Sequence, residues 1–160
     1  MKISLIAARA ENDVIGNGAE IPWRARGEQL IFKAFTFNRW LLVGRKTFES
    51  MGKLPDRRFA VVSGSGFRCE DEDVACFASV EEALGWLSKQ TDEVMVAGGG
   101  QIYRQCIERA DVLHLTRIHA APEGDISFPA IPASFQRVFT QSFNSNTNYS
   151  YELWLPSQAD

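Results

Sequence analysis

Apolar runs along the chain predict the strands of a buried sheet. The runs cover residues 3–8, 40–43, 59–63, 94–97 and 112–118. A run with little polar alternation is typical of a strand whose two faces are both covered. We expect the first of these runs to lie at the centre of the sheet.

The segments between the runs carry helical spacing. A helix over residues 27–37 is predicted because Glu28, Ile31, Phe32 and Phe35 recur at i, i+3, i+4 and i+7. Further helices are expected at residues 48–51, after a capping box that begins at Ser79, and over residues 101–109. Strands that alternate with helices indicate an α/β fold with a doubly wound, mostly parallel sheet and helices on both faces.

The last part of the chain has a different pattern. Residues 135–143 and 149–155 are predicted to form an antiparallel hairpin, joined by the polar residues 144–147. This hairpin would give a mostly parallel sheet an antiparallel edge. The length of 160 residues and the hydrophobic content of 45% fit a single domain over residues 1–160.

Residues 9–23 interrupt the early pattern. They are rich in Gly, Asn, Asp and Pro, with Val14, Ile15 and Ile21 as isolated apolar positions. A structureless loop of about fifteen residues is uncommon in a compact domain unless it serves as a lid or a binding loop. We therefore expect this segment to be functional.

Gly98, Gly99 and Gly100 separate a predicted strand from a predicted helix. Glycines let a ligand approach the backbone closely, and a helix N-terminus favours phosphate. The alternative is a turn that only lets the helix pack on the strand. Gly44, Arg45, Lys46 and Thr47 form a second candidate phosphate clamp, although Arg39 stands where a Walker A motif requires glycine.

Glu28 lies on the apolar face of its predicted helix, where a charge is costly unless it is paired. One interpretation is a carboxylate kept at a pocket edge for the hydrogen-bond donors of a ligand. The other is an acidic residue in the first turn that the helix dipole stabilises.

Composition narrows the range of partners. The net charge of −3 and the absence of a basic run argue against nucleic-acid binding, and no stretch is long enough for a membrane span. Three cysteines without metal spacing or a leader segment are expected to be reduced thiols in the cytoplasm. His114 and His119 are expected to have structural or surface roles, and no metal site is predicted.

In doubly wound sheets, ligands bind at the carboxyl ends of the strands. That edge is expected to gather Ala8, the turn at residues 44–47, Ser63 with Gly64, the turn at residues 97–100, and Thr116. Two glycine-bearing helix starts with Arg45 and Lys46 point to a ligand with several phosphates, such as a dinucleotide.

Ordered motifs over nearly the whole chain resemble dihydrofolate reductase. They are Ile6-Ala7-Ala8, Val14-Ile15-Gly16, Ile21-Pro22-Trp23, Phe32-Lys33, the run from Val43 through Gly44-Arg45-Lys46-Thr47 to Ser50, Arg57, Gly98-Gly99-Gly100-Gln101-Ile102-Tyr103 and Glu123-Gly124-Asp125. The resemblance implies hydride transfer from NADPH to 7,8-dihydrofolate, which gives tetrahydrofolate. It also implies that antifolates inhibit the protein.

On the substrate side, the resemblance implies that Glu28 binds and orients the pteridine, that Thr116 supports this carboxylate, and that Trp23 holds a water nearby. Arg57 would pair with the α-carboxylate of the substrate's glutamate tail. The other expected contacts are Ile6, Ala8, Phe32, Lys33, Met51, Leu54, Ala97 and Tyr103. Glu28 either relays the proton through water or acts only electrostatically.

On the cofactor side, the resemblance implies that Arg45 and Lys46 bind the phosphates of NADPH and that Ser63 and Gln101 contribute further contacts to them. It also implies that Gly98 and Gly99 are joined by a cis peptide bond. The remaining expected contacts are Ala8, Ile15, Gly16, Ala19, Ile21, Gly44, Thr47, Val62, Gly64, Gly100, Ile102 and Tyr103. Residues 9–23 would be the mobile lid that shields the nicotinamide.

Two positions depart from the family pattern. Most bacterial relatives have Asp where this chain has Glu28, and Gly64 stands where a hydroxyl often helps to bind the 2′-phosphate of NADPH. The chain is similar to plasmid- or integron-borne members that are insensitive to trimethoprim, so we expect weakened trimethoprim binding.

Two other functions stay open at this point. One is a reductase of another pterin or pyrimidine, and the other is a non-catalytic NADPH-binding regulator. A monomer is the expected state.

Overall fold

The computed structural model describes residues 1–18 and 20–158. The strands are β1 (Lys2–Ala10), β2 (Val14–Gly16), β3 (Trp40–Gly44), β4 (Arg58–Val62), β5 (Val74–Phe77), β6 (Glu93–Gly98), β7 (Val112–Ile118), β8 (Ile126–Ser127), β9 (Phe135–Phe143) and β10 (Tyr149–Pro156). The helices are α1 (Glu28–Thr36), α2 (Arg45–Met51), α3 (Val80–Leu87) and α4 (Gly100–Cys106), and a short 3₁₀ helix (Ile107–Arg109) follows α4.

One eight-stranded sheet organises these elements. Its strand order is β5-β4-β3-β6-β1-β7-β10-β9. Every neighbouring pair from β5 to β7 is parallel, whereas β10 is antiparallel to both β7 and β9. The predicted α/β sheet with an antiparallel hairpin at its edge is therefore confirmed, with β1 near its centre.

Helices cover the sheet on both faces. The apolar side chains of α3 and α4 pack with Leu5, Leu42 and Leu113 on one face. On the other face, side chains of α1 and α2 pack around Ile6, Leu41 and Val43, among them Phe32, Phe35, Phe48 and Met51. Neighbouring positions of a strand face opposite sides, so both faces of the central strands are apolar, as their sequence runs predict.

The structure differs from the predicted elements in several places. β1 extends to Ala10, because the charged Arg9 that interrupts the apolar run has two carboxylate partners: it contacts Glu152 at 3.3 Å and Asp13 at 2.6 Å. The predicted lid contains β2, which pairs with β8. Helix α2 begins at Arg45 instead of residue 48, and the edge strand β5 was not predicted.

His114 connects α1 to the sheet. Its ring stacks on Phe35 of α1 at 4.3 Å, and its Nδ1 lies 2.7 Å from the hydroxyl oxygen of Tyr151 on β10. Burial lowers the pKa of His114 to about 4. The histidine is therefore neutral near neutral pH and packs as an aromatic side chain.

The lid rests against the connection that contains β8. The Asp125 carboxylate accepts a hydrogen bond from the Gly18 amide at 2.9 Å, and the Asp125 amide donates to the Gly16 carbonyl at 3.1 Å. A Cβ atom on Gly124 would lie 2.4 Å from Cγ1 of Val14. Only glycine allows this close approach.

Among the described residues, no helix is long and apolar enough to cross a membrane.

We expect Gly124→Ala to lower the free energy of unfolding by about 1–3 kcal/mol, because the added methyl group forces the lid away from its support. Gly85→Ala is the matched control, since nothing lies within 4 Å of a Cβ atom there. This change within α3 is expected to be neutral or stabilising by about 0.5–1 kcal/mol. Urea unfolding measures both values, and equal stability of the two variants would contradict the close approach.

Candidate active site

The three-glycine turn connects β6 to α4 at the carboxyl edge of the sheet. The Gly98–Gly99 peptide bond is cis, as the resemblance implied, and Gly98 has a φ of 113°. Gly99 is the N-cap of α4 and has no side chain that could accept a hydrogen bond from the first amides of this helix. These amides are therefore left to other acceptors.

The two glycine turns lie side by side. Val43 at the end of β3 is in register with Gly98. A Cβ atom on Gly99 would lie 2.9 Å from the Thr47 hydroxyl oxygen, and one on Gly44 would lie 3.4 Å from Cγ1 of Ile102. The structure therefore brings the two predicted phosphate-binding segments together, and the absent side chains of Gly44 and Gly99 leave room for Ile102 and Thr47. This fits a ligand with several phosphates.

Some polar groups at this edge of the sheet already have partners within the protein, and others do not. Arg45 pairs with Glu49 at 3.1 Å, whereas Lys46 is exposed and has no ion-pair partner in the described part of the chain. The Ser63 hydroxyl forms a 2.9 Å hydrogen bond with that of Ser65. Gly64 and Gln101 are exposed and Val62 is half-buried. Lys46 is therefore a cation that is free to bind an anion here.

The lid approaches the same turn through β8. A Cβ atom on Gly100 would lie 3.1 Å from Cγ2 of Ile126, and one on Gly16 would lie 3.1 Å from Cδ1 of the same residue. Ile15 is half-buried and Ile21 is 65% exposed. The predicted cofactor contact Ala19 lies outside the described residues.

An apolar cluster, which we call the apolar slot, lies between α1, α2 and the sheet. Five residues predicted to contact substrate belong to one cluster, namely Ile6, Phe32, Met51, Leu54 and Ala97. Ala8 is half-buried on β1, and Lys33 is exposed on α1. The structure thus brings the five clustered residues together, and their contact with substrate stays a prediction.

Glu28 is the first residue of α1 and is only 8% exposed. Burial raises the pKa of its carboxyl group, and the neighbouring Trp23 indole opposes this rise. The buried Nε1 atom of Trp23 has no direct hydrogen-bond partner among the described residues. The Glu28 carboxylate and the Trp23 N–H are therefore available for hydrogen bonds with a ligand.

Thr116 lies under α1. It is 4% exposed and alternates with Leu113 and Leu115, which face the opposite core. The next residue on its own face, Ile118, packs with Trp23 and other apolar side chains. No hydrogen bond between the described atoms joins Thr116 to Glu28, so its supporting role stays a prediction.

Arg57 is held by three acceptors. It donates from Nε to the Thr36 hydroxyl at 3.2 Å, from Nη1 to the Pro55 carbonyl at 2.8 Å, and from Nη2 to the Lys33 carbonyl at 2.8 Å. A guanidinium has five N–H groups, so one remains on each terminal nitrogen. These two N–H groups can bind one carboxylate in bidentate fashion.

Sequence reasoning missed the roles of Thr36 and Tyr103 as supports. Thr36 is fully buried, and its own hydroxyl donates to the Phe32 carbonyl while it accepts from Arg57. Tyr103, predicted to contact ligands, donates its hydroxyl to the Ile6 carbonyl at 2.8 Å. Its ring lies 3.2 Å from where a Gly98 Cβ atom would be. For Thr36, the signal in the sequence was a threonine near the end of an apolar helix.

Comparisons with known proteins agree on one family. The family model described as dihydrofolate reductase matches residues 2–156. Dihydrofolate reductase type 15 of Escherichia coli is 58% identical over 154 residues, which is 96% of this chain and 98% of the relative. The type 1 protein of Escherichia coli and the type 6 protein of Proteus mirabilis are 57% and 56% identical over the same shares of both chains.

A solved structure supports the same assignment. The dihydrofolate reductase from Enterococcus faecalis complexed with NADP(H) and RAB-propyl matches with a TM-score of 0.89 and 30% identity. The match covers 98% of this chain and 97% of that protein.

We expect Glu28→Gln to leave stability at pH 7 unchanged or higher. The raised pKa of Glu28 means that the folded state binds this proton more tightly than the unfolded chain, so ionisation above the ordinary pKa costs folding free energy. Glutamine removes that cost, so the advantage of the variant should shrink as the pH falls through the raised pKa and should vanish below the ordinary pKa.

Urea unfolding between pH 4 and pH 7 measures this difference. Glu20→Gln is the control, because Glu20 is exposed. A Glu28→Gln protein that is less stable than wild type at pH 7 would show that the carboxylate is paired favourably in the free protein.

Proposed function

The chain belongs to the dihydrofolate reductase family, whose members are NADPH-dependent oxidoreductases, and we propose that its site reduces 7,8-dihydrofolate to 5,6,7,8-tetrahydrofolate. The observation that carries this proposal is the buried Glu28 carboxylate at the start of α1, because apolar side chains of this helix pack on β3 and β6, the strands that lead to the paired glycine turns. This arrangement suits a flat heterocycle that lies against a dinucleotide.

Glu28 binds the pteridine ring. Its two oxygens accept hydrogen bonds from the amino group and the adjacent ring N–H, and such charge-assisted bonds are strong in a buried site. The carboxylate charge also favours protonation of the nearby imine nitrogen. The apolar side chains of Ile6 and Phe32 exclude water from the faces of the ring.

Arg57 binds the other end of the substrate. The two N–H groups that its internal contacts leave free take the α-carboxylate of the glutamate tail. Because Thr36 and two backbone carbonyls hold the guanidinium in advance, little side-chain entropy is lost on binding. Glu28 thus fixes the pteridine ring of the substrate, and Arg57 fixes its glutamate tail.

NADPH, when bound, supplies the hydride. Its phosphates would be held by Lys46, the amides that begin α2 and α4, and the hydroxyls of Thr47 and Ser63, with Gln101 at the rim. The other predicted contacts line the same edge of the sheet. The lid, supported by Asp125, covers this edge and keeps water from the reacting carbons.

We expect the protein to oxidise NADPH only when dihydrofolate is present, and Glu28→Gln to lower kcat/KM by more than about 100-fold, because the pteridine loses its anionic partner. Absorbance at the nicotinamide band measures the rate, with Glu108→Gln at an exposed position outside the lid as the surface control. Wild-type protein that binds NADPH without turnover would favour a regulator, and an active Glu28→Gln protein would overturn the assigned pocket.

We further propose weakened inhibition by trimethoprim. The side chain of Glu28 is one methylene longer than Asp, so its carboxylate reaches further into the slot and misaligns with the drug's diaminopyrimidine. Glu28→Asp is expected to lower the trimethoprim inhibition constant about tenfold, which corresponds to about 1.4 kcal/mol of binding free energy. A wild-type enzyme that trimethoprim already inhibits tightly, or an unchanged constant in Glu28→Asp, would contradict this explanation.

The proposed setting is a monomer in the cytoplasm that binds no nucleic acid. Support comes from the net charge of −3 and from three cysteines that are free in the structure.

A further inference from the structure

Arg9 lies near the end of β1 between two carboxylates. Its Nη1 atom lies 2.6 Å from Oδ1 of Asp13, and its Nη2 atom lies 3.3 Å from Oε1 of Glu152. The buried Nε atom of Arg9 has no hydrogen-bond partner among the described residues. Because an unsatisfied buried N–H group costs free energy, we infer that the two carboxylates determine the orientation of this guanidinium.

Glu152 holds Arg9 against the sheet. It is 1% exposed on β10, and it also accepts hydrogen bonds from Nη1 of Arg137 at 3.0 Å and from Nε1 of Trp154 at 3.3 Å. Three donors on two neighbouring strands and β1 thus surround one buried carboxylate. The guanidinium of Arg9 therefore has a fixed position from which it can hold a second, more exposed group.

Asp13 is that second group, and it lies where the chain enters the lid. Its φ of 66° is a left-handed conformation that Asp and Asn adopt more readily than most other side chains. Its amide donates to the Ala10 carbonyl at 2.9 Å, and its carbonyl accepts from the Phe128 amide at 2.8 Å. Strand β2 begins at the next residue, so the position of Asp13 determines how the chain enters β2.

Strand β2 contains Ile15 and Gly16, two of the predicted cofactor contacts. We propose that Arg9 is a positioning residue for NADPH: through its ion pair with Asp13 it holds β2, and with it the lid, at the cofactor edge of the sheet. Arg9 acts only through Asp13. This proposal rests on the proposed function, because it needs NADPH to bind at that edge.

The expected effect is modest. The side chain of Arg9 is 12% exposed and that of Asp13 is 49% exposed, and an ion pair with an exposed partner changes an equilibrium constant about two- to fivefold. Loss of the pair lowers the population of the lid position that binds the cofactor, so the Kd for NADPH should rise by this factor. The KM for dihydrofolate should stay unchanged, because Glu28 and Arg57 lie outside the lid.

Asp13→Asn is the first test. Asparagine tolerates the left-handed conformation, but its neutral amide accepts a weaker hydrogen bond from Arg9. Tryptophan fluorescence quenching by NADPH, without dihydrofolate, is expected to give a Kd about two- to fivefold higher than in wild type. Urea unfolding should detect little change in stability, since Arg9 keeps its contact with Glu152.

Arg137→Gln is the matched control. Arg137 pairs with the same Glu152 carboxylate at 3.0 Å, but it lies on the edge strand β9. Its removal takes one cation from a buried carboxylate, so it should lower stability and leave the Kd for NADPH unchanged. A role of the Arg9 cluster in stability alone predicts the opposite pattern for the two variants.

Two further measurements test whether Arg9 and Asp13 act as a pair. Arg9→Gln should also raise the Kd for NADPH, and Asp13→Asn should have no further effect when it is added to Arg9→Gln. In the free protein, the Phe128 amide should exchange its hydrogen faster in Asp13→Asn than in wild type, and at the wild-type rate in Arg137→Gln.

An unchanged Kd in Asp13→Asn, or an equal rise in Arg137→Gln, would overturn the proposal. Additive effects of Arg9→Gln and Asp13→Asn would also overturn it, because the two residues would then act independently. The proposed function fails separately, if wild-type protein binds NADPH but does not oxidise it when dihydrofolate is present.

Discussion

The site depends on a carboxylate kept out of water. Glu28 is 8% exposed at the first position of α1, where the helix N-terminus offers some compensation but burial still raises the pKa of the carboxyl group. An isolated buried charge is costly, and the buried Trp23 indole nitrogen beside it also lacks a direct partner among the described residues. Under the proposed function, the polar edge of the substrate supplies the partners that the protein alone does not.

The remaining structure holds this carboxylate in position against a second ligand site. Phe35 of α1 stacks on His114 of β7, and the neutral His114 is hydrogen-bonded to Tyr151 of β10. These contacts attach α1 to two strands of the sheet. The parallel register places Gly98 beside Val43, which brings the two glycine turns together at the same edge. A sheet with this order thus sets the apolar slot and the proposed phosphate-binding edge side by side.

Much of this arrangement is predictable from sequence because it depends on local patterns. The apolar runs identified the main strands, the spacing from Glu28 to Phe35 identified α1, and the glycines identified the turn before α4. What the pattern missed depends on partners far along the chain. Arg9 ends an apolar run but continues β1, because Glu152 lies beside it in the fold. The fixing of Arg57 by Thr36 and the lid strand β2 likewise require contacts that no local window contains.

The pKa of Glu28 in the free protein tests the central claim most directly. Carbon-13 NMR titration of the glutamate side-chain carboxyls, with Glu28→Gln to assign the resonance, gives this value. The structure predicts a midpoint above that of an exposed glutamate, because burial outweighs the contribution of Trp23. A midpoint at or below the exposed value would show that the carboxylate is already compensated within the protein, and the site would then lack the unsatisfied charge on which substrate binding is proposed to depend.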